Sequence, residues 1–143
     1  MTTRILFVCT GNSARSQMAE GLARHLAAPG VEVASAGTHP TGVSPFAIEA
    51  LRDRGIDISA QRSKAIEDLP GEFDYVITLC DTAARNCPVL PARRARLHWS
   101  LPDPILAGSS DAERQRFFHS LREDIERRLR EWMARESLLD EAR

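Results

Sequence analysis

No stretch of this chain is apolar for long enough to cross a membrane as a helix, which takes about 20 residues. An excess of one charge sign is also missing. The 19 Lys and Arg face 20 Asp and Glu for a net charge of −1, so neither nucleic acid nor an anionic membrane is expected as a partner. Cysteine is scarce: Cys9, Cys80 and Cys87 are too few for a disulfide scaffold. No Cys-x2-Cys and no histidine pair lies near them to complete a zinc site. His25, His39, His98 and His119 show no ligand spacing, so no metal is expected. Repeats and low-complexity tracts are absent. Met1–Arg4 runs directly into an apolar segment and leaves no room for a signal peptide, which predicts a cytoplasmic protein with reduced thiols. An odd cysteine count in that compartment points to chemistry.

What is present is ordinary in bulk. At 143 residues, with 43% hydrophobic and 27% charged side chains, residues 1–143 read as one globular domain with its own core. Arg4–Val8, Val31–Ala34, Asp74–Leu79 and Arg96–Trp99 read as strands. Ser16–Leu26, Pro45–Arg54 and Asp111–Arg135 read as helices, and Ser63–Leu69 as a short one. Pro45 suits a first helical position and Gly55 a stop. Phe117, Phe118, Leu121, Ile125, Leu129 and Trp132 form the apolar stripe of the last helix. Glu123 with Arg127, and Glu126 with Arg130, are expected surface pairs. Asp81–Arg94 has two prolines and no period, which predicts a mobile segment. Strands alternating with helices predict an α/β fold: a four-stranded parallel sheet with helices on both faces. Ligands of such sheets bind at the carboxyl ends of the strands, where Cys9, Ser35, Cys80 and the Asp103 loop are expected.

The informative segment is Cys9-Thr10-Gly11-Asn12-Ser13-Ala14-Arg15-Ser16, directly after Ile5-Leu6-Phe7-Val8. Between a strand and a helix, the loop Thr10–Arg15 can turn backbone N–H groups inward as an oxyanion nest. The helix that follows adds its positive end. Arg15 offers a planar fork that matches two oxygens of phosphate or arsenate. The same positive field favours Cys9 as thiolate, the nucleophilic form, and Ser16 can donate its hydroxyl to it. Gly11 and Asn12 tolerate left-handed backbone. The bland reading is a small core cysteine at a strand end; the strand, the Gly-Asn-Ser interior and the following Ser16 all favour the cradle instead.

Val8–Gly21 resembles the low-molecular-weight protein tyrosine phosphatase superfamily, which shares this cradle with one class of arsenate reductases. Further motifs narrow the likeness: Leu79-Cys80, six residues, then Cys87-Pro88; His98-Trp99; Asp103-Pro104; Ser35-Ala36-Gly37; Gly55-Ile56-Asp57-Ile58-Ser59; Phe117-Phe118 with Leu121–Ile125. Over nearly the whole chain they resemble the arsenate reductases coupled to thioredoxin. The resemblance implies that arsenate, with phosphate or sulfate as competing anions, sits on Thr10, Gly11, Asn12, Ser13, Ala14 and Arg15. It implies a Cys9–arsenate adduct, a Cys9–Cys80 and then a Cys80–Cys87 disulfide, and a thioredoxin-type reductant. Asp103 is then the general acid, its plainer reading being a turn residue between Pro102 and Pro104.

Two departures from the family pattern stand out. Ala14 replaces a frequent cysteine that the relay does not use. Lys64 stands where an aspartate is expected. Family members hold potassium beside the loop with residues matching Asn12, Glu20 and Ser35 plus that aspartate; here Lys64 is expected to replace the ion and pair with Glu20, with no potassium requirement and no cofactor. One alternative is a phosphatase using Cys9, Arg15 and Asp103, although Gln17 stands where those enzymes usually have Pro and no Tyr follows Asp103-Pro104. A third reading is a non-enzymatic anion or redox sensor built on Cys80 and Cys87.

Overall fold

The computed structural model describes residues 2–81 and 90–143. Four strands, β1 (Thr3–Cys9), β2 (Val31–Gly37), β3 (Phe73–Thr78) and β4 (Ala92–His98), form one parallel sheet in the order β2-β1-β3-β4. Among the described residues three α-helices follow in chain order: α1 (Arg15–Leu26), α2 (Pro45–Arg52) and α3 (Asp111–Arg135). Among the described residues no helix is long and apolar enough to cross a membrane.

The alternation along the central strands decides where each layer sits. Ile5, Phe7, Tyr75 and Ile77 point to the main core, with Met18 and Leu22 of α1, Leu51 of α2, and Leu121, Ile125, Leu129 and Trp132 of α3. The predicted stripe of the last helix is therefore its buried face, extended by Met133. Leu6, Val8 and Val76 point the other way, into a smaller cluster that, among the described residues, lies under one 3-10 turn, Ile66–Asp68, with Leu69 and Leu90 beside it. Both faces are covered, but unequally.

Several boundaries move relative to the sequence expectation. β2 runs on to Gly37, because it pairs with β1 in continuous register from Thr3↔Val31 to Cys9↔Gly37. Ser35 thus lies within a strand rather than after one. Ser63–Leu69 is mostly extended: Ala65 bridges Gly37, and only Ile66–Asp68 coils. α2 stops at Arg52, and Gly55 takes the left-handed turn at φ 84°. Residues 92–94, expected in the mobile segment, belong to β4, held by the β3 ladder; residues 82–89 of that segment lie outside the described residues. On α3, Arg127 pairs with Asp124, one turn away, rather than with Glu123, while Glu126–Arg130 forms as expected.

Candidate active site

β1 ends at Cys9 and α1 begins at Arg15, so the five residues between them must reverse the chain at the carboxyl edge of the sheet. Asn12 makes this feasible with a left-handed backbone, φ 45°, a conformation that Asn adopts more readily than most residues. The loop carbonyls are tied down one after another. Thr10 O accepts from His39 N at 2.8 Å, Gly11 O from Thr41 N at 3.0 Å and Ser63 Oγ at 3.1 Å, and Ser13 O from Ser44 N at 2.9 Å. Asn12 O accepts from Gln17 Nε2 at 3.1 Å. A trans peptide points its N–H opposite to its C=O. Each tied carbonyl therefore turns the following amide away from the tying partner, and the amides of Gly11 to Ala14 are left to serve an anion.

Gly37, at the end of β2, is the neighbour that permits this packing. A Cβ there would lie 2.6 Å from Thr10 O and 2.8 Å from Asn12 N, so any side chain would push the loop out of shape.

Cys9 is buried at the foot of a cleft of about 200 Å³ lined also by Gly11, Ser13, Ala14, Arg15, Ser44, Asp103, Pro104 and Phe118. Its Sγ lies 2.9 Å from Ser16 Oγ. Asn12 Nδ2 donates to Ser16 Oγ at 2.8 Å and to Ser35 Oγ at 2.9 Å. Asn12 thereby engages one lone pair of the Ser16 oxygen, and the Ser16 hydroxyl stands within hydrogen-bond distance of the sulfur. Arg15 rests with one guanidinium nitrogen 3.4 Å from Leu101 O. Asp103 is exposed on the cleft rim and caps the 3-10 turn Pro104–Leu106 by accepting from Ile105 N at 3.0 Å. Asp103 is thus the turn residue of the plainer reading, and it also lines the thiol's cleft.

Cys80 follows β3 by two residues and is buried in the same small cluster as Cys9. Its Sγ lies 3.3 Å from Thr10 Oγ1, on the residue next to the nucleophile. Beyond it, His98 links Thr78 Oγ1, 2.7 Å from Nδ1, to Asp81 Oδ1, 2.8 Å from Nε2. These contacts give His98 a structural role at the end of β4. Cys87 lies outside the described residues.

Behind the loop sits a charge cluster around the buried Glu20. Glu20 accepts from Ser35 Oγ at 2.6 Å and from Arg24 at 2.6 Å, and Lys64 Nζ stands 3.5 Å from its other carboxylate oxygen. Lys64 Nζ also donates to Arg62 O at 3.0 Å. The expected Lys64–Glu20 pairing is present. Arg24 is a member of this cluster that the sequence does not single out, and Gln17 is a further neighbour of the loop, bonded to Asn12. Arg24 is four residues after Glu20 on α1, a spacing that could have identified it. Gln17 carried no such signal. Elsewhere, Glu49, Asp53 and His119 bring three ligand-type atoms within 4.8 Å of one another between α2 and α3, with His119 3.1 Å from Asp53. His119, which shows no ligand spacing in the sequence, is thus paired with Asp53 across the two helices.

The family model described as low molecular weight phosphotyrosine protein phosphatase matches residues 4–142. An arsenate reductase of Shouchella clausii (strain KSM-K16) is 44% identical over 129 residues, 90% of this chain and 93% of the relative. Among solved structures, an arsenate reductase in the phosphate binding state superposes with a TM-score of 0.76 at 34% identity, covering 94% of this chain and 98% of the other. A thioredoxin-dependent arsenate reductase of Corynebacterium glutamicum gives 0.70 at 31% identity, covering 93% of this chain and 61% of that one.

Proposed function

As the chain belongs to the low molecular weight phosphotyrosine protein phosphatase family, we propose that it turns that family's anion cradle to arsenate reduction, as its relatives named arsenate reductase do. Arsenate rests on the loop amides and Arg15. Cys9 sulfur bonds to arsenic while a hydroxyl leaves as water, its proton supplied by Asp103. Cys80 then attacks Cys9 sulfur. The S–As bond breaks, its electron pair stays on arsenic, arsenite departs, and a Cys9–Cys80 disulfide remains. Cys87 attacks Cys80 and expels Cys9 as thiolate. An external dithiol of the thioredoxin type reduces Cys80–Cys87 by exchange, which completes a two-electron balance. The proposal places the enzyme in the cytoplasm, where such dithiols are maintained.

The observation that favours this reading over plain phosphoester hydrolysis is the second buried sulfur against Thr10. Phosphoryl transfer has no use for it. The charge cluster supports the absence of a potassium requirement: Glu20 already faces two side-chain cations, Arg24 and Lys64.

The test is a pair of assays on one set of variants. Cys9→Ser should abolish both arsenate reduction and hydrolysis of a small aryl phosphate, by about a thousandfold or more. Cys80→Ser and Cys87→Ser should stop multiple turnover of arsenate with reduced thioredoxin while sparing the aryl phosphate activity. If both activities fell together in the latter variants, the two thiols would be structural. Arsenate turnover that survived them would remove the relay.

A further inference from the structure

The anion loop is braced from behind by a strap, residues 61–64, and one buried amide joins the two. Gln17 is fully buried on the first turn of α1. Its Nε2 lies 3.1 Å from Asn12 O, 2.9 Å from Asn12 Oδ1 and 3.0 Å from Arg62 O. A primary amide has two hydrogens, so three acceptors share them. Its oxygen is held in turn: Gln61 Nε2 donates to Gln17 Oε1 at 2.8 Å and to Gln17 O at 3.1 Å, and Gln61 Oε1 accepts from Arg24 at 3.0 Å. The strap adds contacts of its own. Lys64 N donates to Asn12 Oδ1 at 2.9 Å, and Lys64 O accepts from Gly37 N at 2.9 Å.

Asn12 is the residue most in need of such support. Left-handed backbone is strained at a non-glycine residue, and a free loop would relax out of it. Gln17 grips both ends of Asn12, the backbone carbonyl and the side-chain oxygen. With Asn12 O drawn back toward the buried amide, the planar trans peptide turns Ser13 N–H the opposite way. Ser13 lines the cleft, whereas Asn12 and Gln17 are fully buried. Arg24 bonds both Gln61 and Glu20, so the amide chain and the charge cluster meet at one guanidinium.

We propose that Gln17 is a positioning residue for oxyanion binding: through Asn12 it fixes the Asn12–Ser13 peptide with its N–H toward the anion, and through Gln61 and Arg62 it makes the 61–64 strap part of the cradle. The proposal rests on the oxyanion-cradle reading above and adds to it the part that orients the cradle. Gln17 touches no reacting atom. Its effect is on affinity for the tetrahedral anion, shared by substrate and competitor, so it should appear in KM more than in kcat.

Inorganic phosphate, titrated calorimetrically against the reduced full chain well below its unfolding temperature, is the probe. The wild type should bind it; a wild type with no phosphate affinity would sink the cradle reading itself, independently of Gln17. Gln17→Met, which keeps the length and removes both donors, should raise the phosphate Kd and the arsenate KM about tenfold, with a much smaller change in kcat. Gln61→Met, which frees Gln17 without touching Asn12, should raise Kd by a smaller factor, and it serves alone if Gln17→Met does not fold. Gln17→Glu sets a carboxylate against three oxygen acceptors and should bind phosphate worse than Gln17→Met at neutral pH, recovering as acid restores a donor. A folded Gln17→Met with wild-type Kd and KM would overturn the proposal. So would a loss of kcat at unchanged KM, or phosphate affinity in Gln17→Glu that is indifferent to pH.

Discussion

Among the described residues, the two faces of the sheet are built to different standards. On one, three helices close over Ile5, Phe7, Tyr75 and Ile77, and an aromatic chain runs through the interior: Phe7 to Trp99 at 6.4 Å, Trp99 to Trp132 at 5.8 Å, Trp132 to Tyr75 at 5.0 Å. On the other, Leu6, Val8 and Val76 are roofed by a single 3-10 turn and a few partly buried neighbours. Both Cys9 and Cys80 belong to this thinner side. The division has a physical logic. A cradle for an anion must be rigid, so its helix is anchored in the thick core. A thiol that has to reach another thiol needs chain that can shift at low cost, and stability is lowest where few apolar contacts would be broken.

That contrast can be attacked directly. Trp132→Ala should cost about 3–5 kcal/mol, the usual toll for emptying an aromatic site in a well-packed core, read as a loss of denaturation midpoint. Ile66→Val, on the thin face, should cost only about 1 kcal/mol. Ile125→Val, the same deletion in the thick core, should cost more than Ile66→Val; equal losses from these two would erase the distinction between the two sides.

A smaller effect concerns how the thick face is stitched at its rim. Arg54, just beyond α2, makes two bonds of 3.0 Å to Glu126 on α3, and Arg130 adds a third. The Arg54 guanidinium foremost, with Arg130 behind it, holds the Glu126 carboxyl below the usual glutamate value. A carboxyl lowered in the folded state stabilises fully above the unfolded value, about 4.3, and stops doing so as pH falls through its native one. Wild type should therefore exceed Glu126→Gln in stability by less than about 1 kcal/mol at neutral pH. That margin should vanish in acid, and a margin that widened on acidification would contradict the assignment.

The smallest expected effect lies at the junction of the faces. If Lys64 supplies the positive charge that Glu20 requires, exchanging potassium for sodium at constant ionic strength should leave the wild-type melting temperature and arsenate kinetics unmoved. Lys64→Asp should introduce a dependence on potassium and lose stability in sodium, since it sets a carboxylate against a buried one. A wild type that depended strongly on potassium would return Lys64 to the solvated surface.

How far the sequence carried the description differs by region for a physical reason. The loop after β1 was legible because its chemistry is local: a thiol, a left-handed Asn12 and an arginine fit within one turn of chain. The bounds of α3, Asp111–Arg135, were legible because the apolar stripe repeats and Ser110 caps it. Ser63–Leu69 departs from the helix its residues suggest, because its extended shape is imposed from outside, by Gly37 and by the oxygens of Gly11 and Asn12. β2 was read too short because Ser35 and Gly37 owe their strand geometry to the β1 ladder. Gln17 was noticed only as a departure from a pattern. What it holds, Arg62 and Gln61, lies more than forty residues away in the chain, a separation that no local spacing encodes.

The pairing of Lys64 with Glu20 has a practical corollary. Lys64 is the only lysine in the chain, every other basic side chain among the 19 being arginine. A reagent selective for primary amines therefore has one side-chain target, and that target sits against the carboxylate behind the anion loop. With the amino terminus blocked, a single fluorophore or acyl group would mark the back of the cradle and nothing else, so the labelling rate becomes a direct readout of how tightly that corner is closed.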